Sequence, residues 1–226
     1  MERLVLTEET PPPHPTVLPP WEEPGDARTP YRQLRGALHT IPNPRPVIAL
    51  TSTVPGEGVS WIAARLACAI AEDTTTVFLV DASRAPSGHV ELLGAEEPAR
   101  RLSPPGMVRL YSRETARRGL ALVAPDTFDG QPSPEALVHG LRVLLPDLRG
   151  LGGTVVVDAG PMHESGLVLQ LAGLVDAVIY VVEAERERRE SIARAQEALQ
   201  RAGLPVVGVV LNKRRRYLPT SLYRAL

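Results

Sequence analysis

Ten residues, Thr51-Ser-Thr-Val-Pro-Gly-Glu-Gly-Val-Ser60, follow a short apolar run and open a helical stretch. A glycine-bearing turn at a helix start gathers backbone N–H groups and the positive end of the helix dipole around one point, which is chemistry for holding phosphate. In a working loop of this kind a lysine follows the last glycine and reaches the β- and γ-phosphates, and the next Ser or Thr binds magnesium. Gly56 and Gly58 are present and Ser60 occupies the magnesium position, but residue 59 is Val59. Ser60 equally suits helix N-capping. Two acids end apolar runs further along: Asp81 after Val77–Val80 and Asp158 after Val155–Val157. Each reads either as a magnesium-directed acid of a phosphate site or as a polar residue closing a strand. Asn212 ends a third run and reads as a base-holding amide or an ordinary turn residue.

These residues need a scaffold that brings loop ends together. Val47–Leu50, Val77–Val80, Leu120–Ala124, Val155–Val157, Val178–Val182 and Val206–Leu211 are short apolar runs of strand length. Helical periodicity covers Ile62–Ala71, Pro134–Leu145 and the charged stretch from Arg186 to Arg201. Short, fully apolar strands alternating with helices predict an α/β fold with a parallel sheet covered on both faces. Ligands in such sheets sit at the carboxyl ends of the strands, where Ser60, Asp81, Asp158 and Asn212 fall.

Bulk composition narrows the classes. The 226 residues suit one domain with tails, and the net charge of −1 gives no global field for nucleic acid or anionic membrane. One cysteine, Cys68, lies in an apolar segment and fits a buried thiol in a reducing compartment. No run is long and apolar enough for a membrane span, and the first residues do not form a signal peptide, so the expectation is a cytoplasmic protein. Residues 1–30 are proline-rich and read as a tail without a core, either a linker or a docking segment. The body is placed at 31–213 and a basic tail at 214–226. The run Lys213-Arg-Arg-Arg216 reads as a solvated tail or as a patch for anionic lipid or an acidic partner. The five histidines show no ligand spacing with Cys, Asp or Glu, and no metal beyond magnesium is expected. Lys213 is the only lysine in the chain.

Taken together, Tyr31-Arg-Gln-Leu-Arg35, the Thr51–Ser60 loop, Val80-Asp-Ala-Ser83 with Pro86, Leu122-Val-Ala-Pro125, Pro134-Glu-Ala-Leu137, Val157-Asp-Ala-Gly-Pro161 and Gly208–Asn212 resemble the bacterial tyrosine kinases. These are P-loop domains of the wider MinD/ParA group that control capsule and exopolysaccharide polymerisation. The resemblance spans residues 30–213 in order. It implies a P-loop NTPase-like fold and a nucleotide site at Gly56, Gly58, Ser60, Asp81, Asp158 and Asn212, with magnesium on Ser60, Asp81 and Asp158. It also implies partnership with the cytoplasmic segments of a membrane polysaccharide co-polymerase, peripheral membrane contact through that partner, and subunit contacts through Arg32 and Arg35.

The departures fall on the chemistry. The resembling pattern has lysine where Val59 stands and a second aspartate where Ser83 stands. One arginine after it is missing, leaving Arg84, and Thr29 replaces the acid of the subunit-contact motif. Two C-terminal tyrosines, Tyr217 and Tyr223, replace a tyrosine cluster. Losing one partner of a buried charge contact costs roughly 2–5 kcal/mol, on the order of 30- to several thousand-fold in affinity. The expectation is therefore a catalytically inactive scaffold in exopolysaccharide synthesis, with no cofactor or only weak ADP or ATP with magnesium. The alternative is a weak ATPase or tyrosine autokinase that uses arginine in place of the lysine. Trp61, next to Ser60, reads as filling nucleotide space or packing under the loop.

Overall fold

The structure, a computed structural model, describes residues 5–7, 25–73, 76–84, 87–95, 100–125 and 131–213. Pro86, Tyr217, Tyr223, the arginines 214–216 and most of the proline-rich stretch lie outside the described residues.

The strands are β1 (Val5–Thr7), β2 (Val47–Ser52), β3 (Val77–Asp81), β4 (Arg100–Arg101), β5 (Leu110–Glu114), β6 (Leu120–Pro125), β7 (Thr154–Pro161), β8 (Ala177–Glu183) and β9 (Val206–Asn212). They form one sheet in the order β1-β9-β8-β2-β7-β3-β6-β5-β4. Helices α1 (Gly25–Leu38), α2 (Val59–Ile70), α4 (Pro134–Gly150) and α7 (Arg189–Arg201) cover it, with the single turns α3 (His89–Leu92), α5 (Met162–Ser165) and α6 (Leu167–Gln170) at its loops.

Side chains alternate across a strand, so each central strand feeds two cores. From β2, Ile48 and Leu50 pack with α1 and α2 in one cluster. Val47 and Ala49 pack with α4 and α7 in the other. All six of the apolar runs expected as strands form, and they pair in parallel.

The expectation of a wholly parallel sheet needs correction at one edge, where β5 pairs antiparallel with both β6 and β4. Arg100 and Arg101 are exposed and Tyr111-Ser-Arg113 only half-buried, so this hairpin carries none of the continuous apolar signal that marks the inner strands. At the other edge β1, from within the stretch read as a tail without a core, pairs with β9, and α1 begins at Gly25, also ahead of the body placed at 31–213. Pro30 lies inside α1, past the first turn, where it withholds one N–H from the helix ladder.

Helix α1 lies on α2 and is fixed there by cations. Arg32 grips the Glu72 carboxylate with two bonds, at 2.7 and 3.2 Å. Arg35 donates to the Ala69 carbonyl at 2.7 Å and pairs with Asp73 at 2.9 Å. Between the helices the Arg65 guanidinium lies 3.3 Å over the Trp61 ring and 5.8 Å from Tyr31. Trp61 therefore does pack, under an arginine, while its other side borders the loop cavity described below. Among the described residues no helix is long and apolar enough to cross a membrane.

Two predictions follow from the packing. Leu141 of α4 is fully buried, so Leu141→Ala should cost about 2–5 kcal/mol, while Val207→Ala on the exposed side of β9 should cost well under ~1 kcal/mol; urea denaturation of both variants checks the contrast. The second concerns pH. Burial pushes the Cys68 thiol from 9.0 up to about 12, and the Tyr180 hydroxyl from 10.0 up to about 12. A raised folded value means stability that is complete below the unfolded value and lost as pH climbs through the folded one. The denaturation midpoint should therefore fall between about pH 9 and about pH 12, and a Cys68→Ala/Tyr180→Phe variant should flatten that fall.

Candidate functional site

The carboxyl ends of β2, β3, β7, β8 and β9 converge, and the residues singled out in the sequence arrive with them. Ser52, Asp81, Asp158, Glu183 and Asn212 lie at or near strand ends; the loop 53–58 leaves β2 and enters α2. Gly56 and Gly58 have φ of 85° and 91°, a left-handed conformation that costs an L side chain about 1–2 kcal/mol. Gly58 is the N-cap of α2 and has no side chain to bond, so Ser60 is not the cap. The first bond of the helix ladder runs from the Ile62 N–H to the Gly58 carbonyl. The N–H groups of Val59, Ser60 and Trp61 precede it and face the loop as helix-start donors.

Glu57 shapes this loop from inside. Its carboxylate is buried and accepts from the N–H groups of Thr53 (3.0 Å), Val54 (3.1 Å) and Glu183 (2.9 Å). Burial raises its pKa, against the opposing pull of those three N–H donors. The Glu57 carbonyl accepts from Asn212 Nδ2 at 2.8 Å, and Asn212 Oδ1 accepts from the Lys213 N–H at 2.8 Å. A Cβ on Gly58 would lie 2.2 Å from Asn212 Nδ2. Glycine at 58 is thus required by the amide that braces the loop as well as by its backbone angle.

A cavity of about 350 Å³ opens over the loop, bordered by Gly56, Gly58, Val59, Ser60, Trp61 and Gly160 among others. Val59 is buried in the α1–α2 core as well as touching this cavity. Its alkyl group leaves the space open.

Beside it lies a second cavity of about 460 Å³, bordered by Asp81, Arg84, His89 and Arg113, and sharing Ser83 and Ser87 with the first. Asp81 accepts from the Ser83 hydroxyl at 2.8 Å and the Ser87 hydroxyl at 2.5 Å. Asp158 is fully buried and accepts from the Gly160 N–H at 3.1 Å.

The sequence reading found no partner for a histidine, and here the structure corrects it. His89 Nε2 lies 3.0 Å from Asp158 Oδ2, and single ligand atoms of Asp81, His89 and Asp158 all lie within 4.8 Å of one another. Burial pushes the His89 pKa down, but the Asp158 bond and the two carboxylate charges outweigh it and the net shift is upward. The same burial raises Asp81, with Asp158 adding to the rise and His89 opposing it. Sixty-nine positions separate His89 from Asp158, so nothing in local spacing signals the pair.

The helix start at residues 59–61 offers donors for phosphate; Ser60 at the loop cavity and Asp81 at the adjoining one offer oxygen ligands for magnesium, while Asp158 is fully buried behind them.

Gly58→Ala should destabilise the chain by about 2–4 kcal/mol, from backbone strain and the Asn212 overlap together. Asn212→Ala in the same chain should recover part of that loss, so the two changes should be non-additive by more than about 0.5 kcal/mol in a double-mutant cycle read by urea denaturation. Glu57→Gln should cost about 1–3 kcal/mol, because an amide NH₂ would have to face a backbone N–H.

No protein-family model matches the chain. It is 28% identical over 175 residues to a putative tyrosine-protein kinase, EpsB, of Ralstonia solanacearum, covering 74% of this chain and 22% of that protein. It is 26% identical over 176 residues to the tyrosine-protein kinase CpsD of Streptococcus agalactiae, covering 74% of each. The chain thus spans about a fifth of EpsB's length. Among solved structures, the chimerical protein CapA2B2 superposes with a TM-score of 0.72 at 20% identity, over 94% of this chain and 93% of that one. The kinase domain of Escherichia coli tyrosine kinase ETK gives 0.71 at 17% identity, over 96% and 92%. The MinD protein of Pyrococcus horikoshii with Mg-ADP gives 0.55 at 19%, over 80% and 76%.

The expectation of a non-enzyme, drawn from Val59 and Ser83, is corrected by these relatives, which are named as tyrosine-protein kinases. The physical reason for the error is that residue 59 was judged as if it alone could bring a cation to the loop. In sequence the chain is similar to bacterial proteins named as tyrosine-protein kinases, and its fold is that of the solved kinase domain of ETK and of MinD.

Proposed function

We propose that the chain is a nucleotide-binding phosphotransfer domain, an ATPase or tyrosine autokinase, serving bacterial capsule or exopolysaccharide synthesis beside a membrane polysaccharide co-polymerase. The observation that supports this most is the open cavity over the Thr51–Ser60 loop, bordered by Ser60 and sharing Ser83 and Ser87 with the adjoining cavity that Asp81 borders. A pocket given over to packing would have been filled by Val59 or Trp61; both border the cavity and neither closes it.

In this reading the N–H groups of residues 59–61 and the start of α2 bind the phosphates. Ser60, Asp81 and Asp158 would hold magnesium, which when bound neutralises charge on the phosphoryl oxygens. His89 keeps Asp158 oriented meanwhile, through the 3.0 Å contact. Asp81 also borders the second cavity. An acceptor hydroxyl in that cavity would reach it past Ser83 and Ser87, the residues the two cavities share. Assembly with further subunits through Arg32 and Arg35 would require their ion pairs with Glu72 and Asp73 to be exchanged.

The purified chain, incubated with magnesium ATP, should release ADP above background and gain phosphate detectable by intact mass. Asp158→Asn should reduce the rate at least about tenfold, since phosphoryl transfer rests on positioning and electrostatics. A wild-type chain that neither binds nor turns over ATP would overturn this reading.

A further inference from the structure

A loop that binds triphosphate without a lysine at 59 needs its cation from elsewhere, and the fold limits the candidates. Arg32 and Arg35 are bound to Glu72, Asp73 and the Ala69 carbonyl. Those partners lie at the far end of α2, whose 12 residues put them about 18 Å from the loop at ~1.5 Å per residue. Arg65 is buried against Trp61. The arginines invoked as stand-ins from the sequence are thus out of place, apart from Arg84 in the neighbouring cavity.

One ammonium does touch the loop. Lys213 Nζ donates to the Gly56 carbonyl at 2.5 Å and pairs with the Glu183 carboxylate at 3.2 Å. Its backbone holds φ at 55°, one of two non-glycine residues so placed among those described, and the Asn212 side chain that accepts its N–H also braces the loop. The turn after β9 therefore aims the lysine at the loop crest. Gly56 has no side chain to bar the way, and it borders the 350 Å³ cavity itself. Release of the ammonium would not strand Glu183, because Arg186 Nη1 already binds the same carboxylate oxygen at 2.9 Å.

We propose that Lys213 is the phosphate-binding lysine of this chain, supplied from the end of β9 in place of residue 59. With nucleotide present, its ammonium exchanges the Gly56 carbonyl and Glu183 for phosphate oxygens, and Arg186 remains to hold Glu183. Lysine suits this exchange because its flexible stem carries a point charge that can rotate between partners. The inference rests on the nucleotide-binding reading and narrows it to one residue.

The test is calorimetric titration of the full chain with magnesium ATP and, separately, with inorganic tripolyphosphate, which has no base or ribose. Lys213→Met should weaken both by roughly 10- to 100-fold, as expected for loss of one charge-assisted contact. Arg186→Met should weaken them far less, and Val59→Lys added to Lys213→Met should restore binding. Thermal melting without ligand should show Lys213→Met folded, and Lys213→Gln, which keeps a donor to the Gly56 carbonyl, should show the same loss. Tripolyphosphate affinity unchanged in Lys213→Met would overturn the proposal, whether or not ATP binding falls, because the lysine would then serve the base or the loop. A larger loss in Arg186→Met than in Lys213→Met would overturn it in favour of the arginine. A wild-type chain silent to both ligands would instead sink the nucleotide reading, and this inference with it.

Discussion

The Glu57 carboxylate, buried among backbone N–H groups, sets the shape on which the rest of the site depends. Unpaired, a buried charge would be costly; satisfied by Thr53, Val54 and Glu183, it becomes a rivet between the β2 loop and the end of β8. Asn212 adds the end of β9 to the same joint through the Glu57 carbonyl. The donors of Thr53 and Val54 are thereby spent inside the protein. The helix start at residues 59–61 is left to face an outside anion. A loop built this way keeps its form without ligand, because its own acid does the organising.

Around that joint the two cavities divide the labour. The first is bordered mainly by loop backbone and small side chains, and the second by Arg84, His89 and Arg113. Asp81, Asp158 and His89 stand together near the sheet's end: His89 and Asp158 bond each other in the interior, and Asp81 is held by the Ser83 and Ser87 hydroxyls at the cavity's edge. The bond to Asp158 and the nearby carboxylates favour the protonated form of His89, against the burial that disfavours it.

Much of this could be read from the sequence, for identifiable reasons. The inner strands are apolar on both faces, so they announce themselves as unbroken runs, and each site residue chosen follows such a run or opens a helix. Gly56, Gly58 and Ser60 lie in the loop and helix start after β2, Asp81 and Asn212 end β3 and β9, and Asp158 lies within β7, which runs on to Pro161. The β4–β5 hairpin escaped notice because one of its faces is wet and its residues are charged. His89 and Lys213 escaped for a different reason. Their roles depend on contacts across 69 and 157 positions, which no local pattern encodes. Judging the loop by residue 59 left out a lysine that reaches its Gly56 carbonyl from the end of β9.

The outermost strand carries a consequence for how the chain folds. β1 pairs Val5 with Val209 in parallel, so the two strands must find each other across almost the whole of the domain between them. Closing a loop that long is entropically slow, and pairings of high sequence separation lower the rate at which a fold completes. During synthesis the central strands can associate while β9 is still unmade, and β1 has no place to go until it arrives. The β9 edge then begins life uncovered, with its backbone groups open to other extended segments, and its capping by β1 marks the end of assembly.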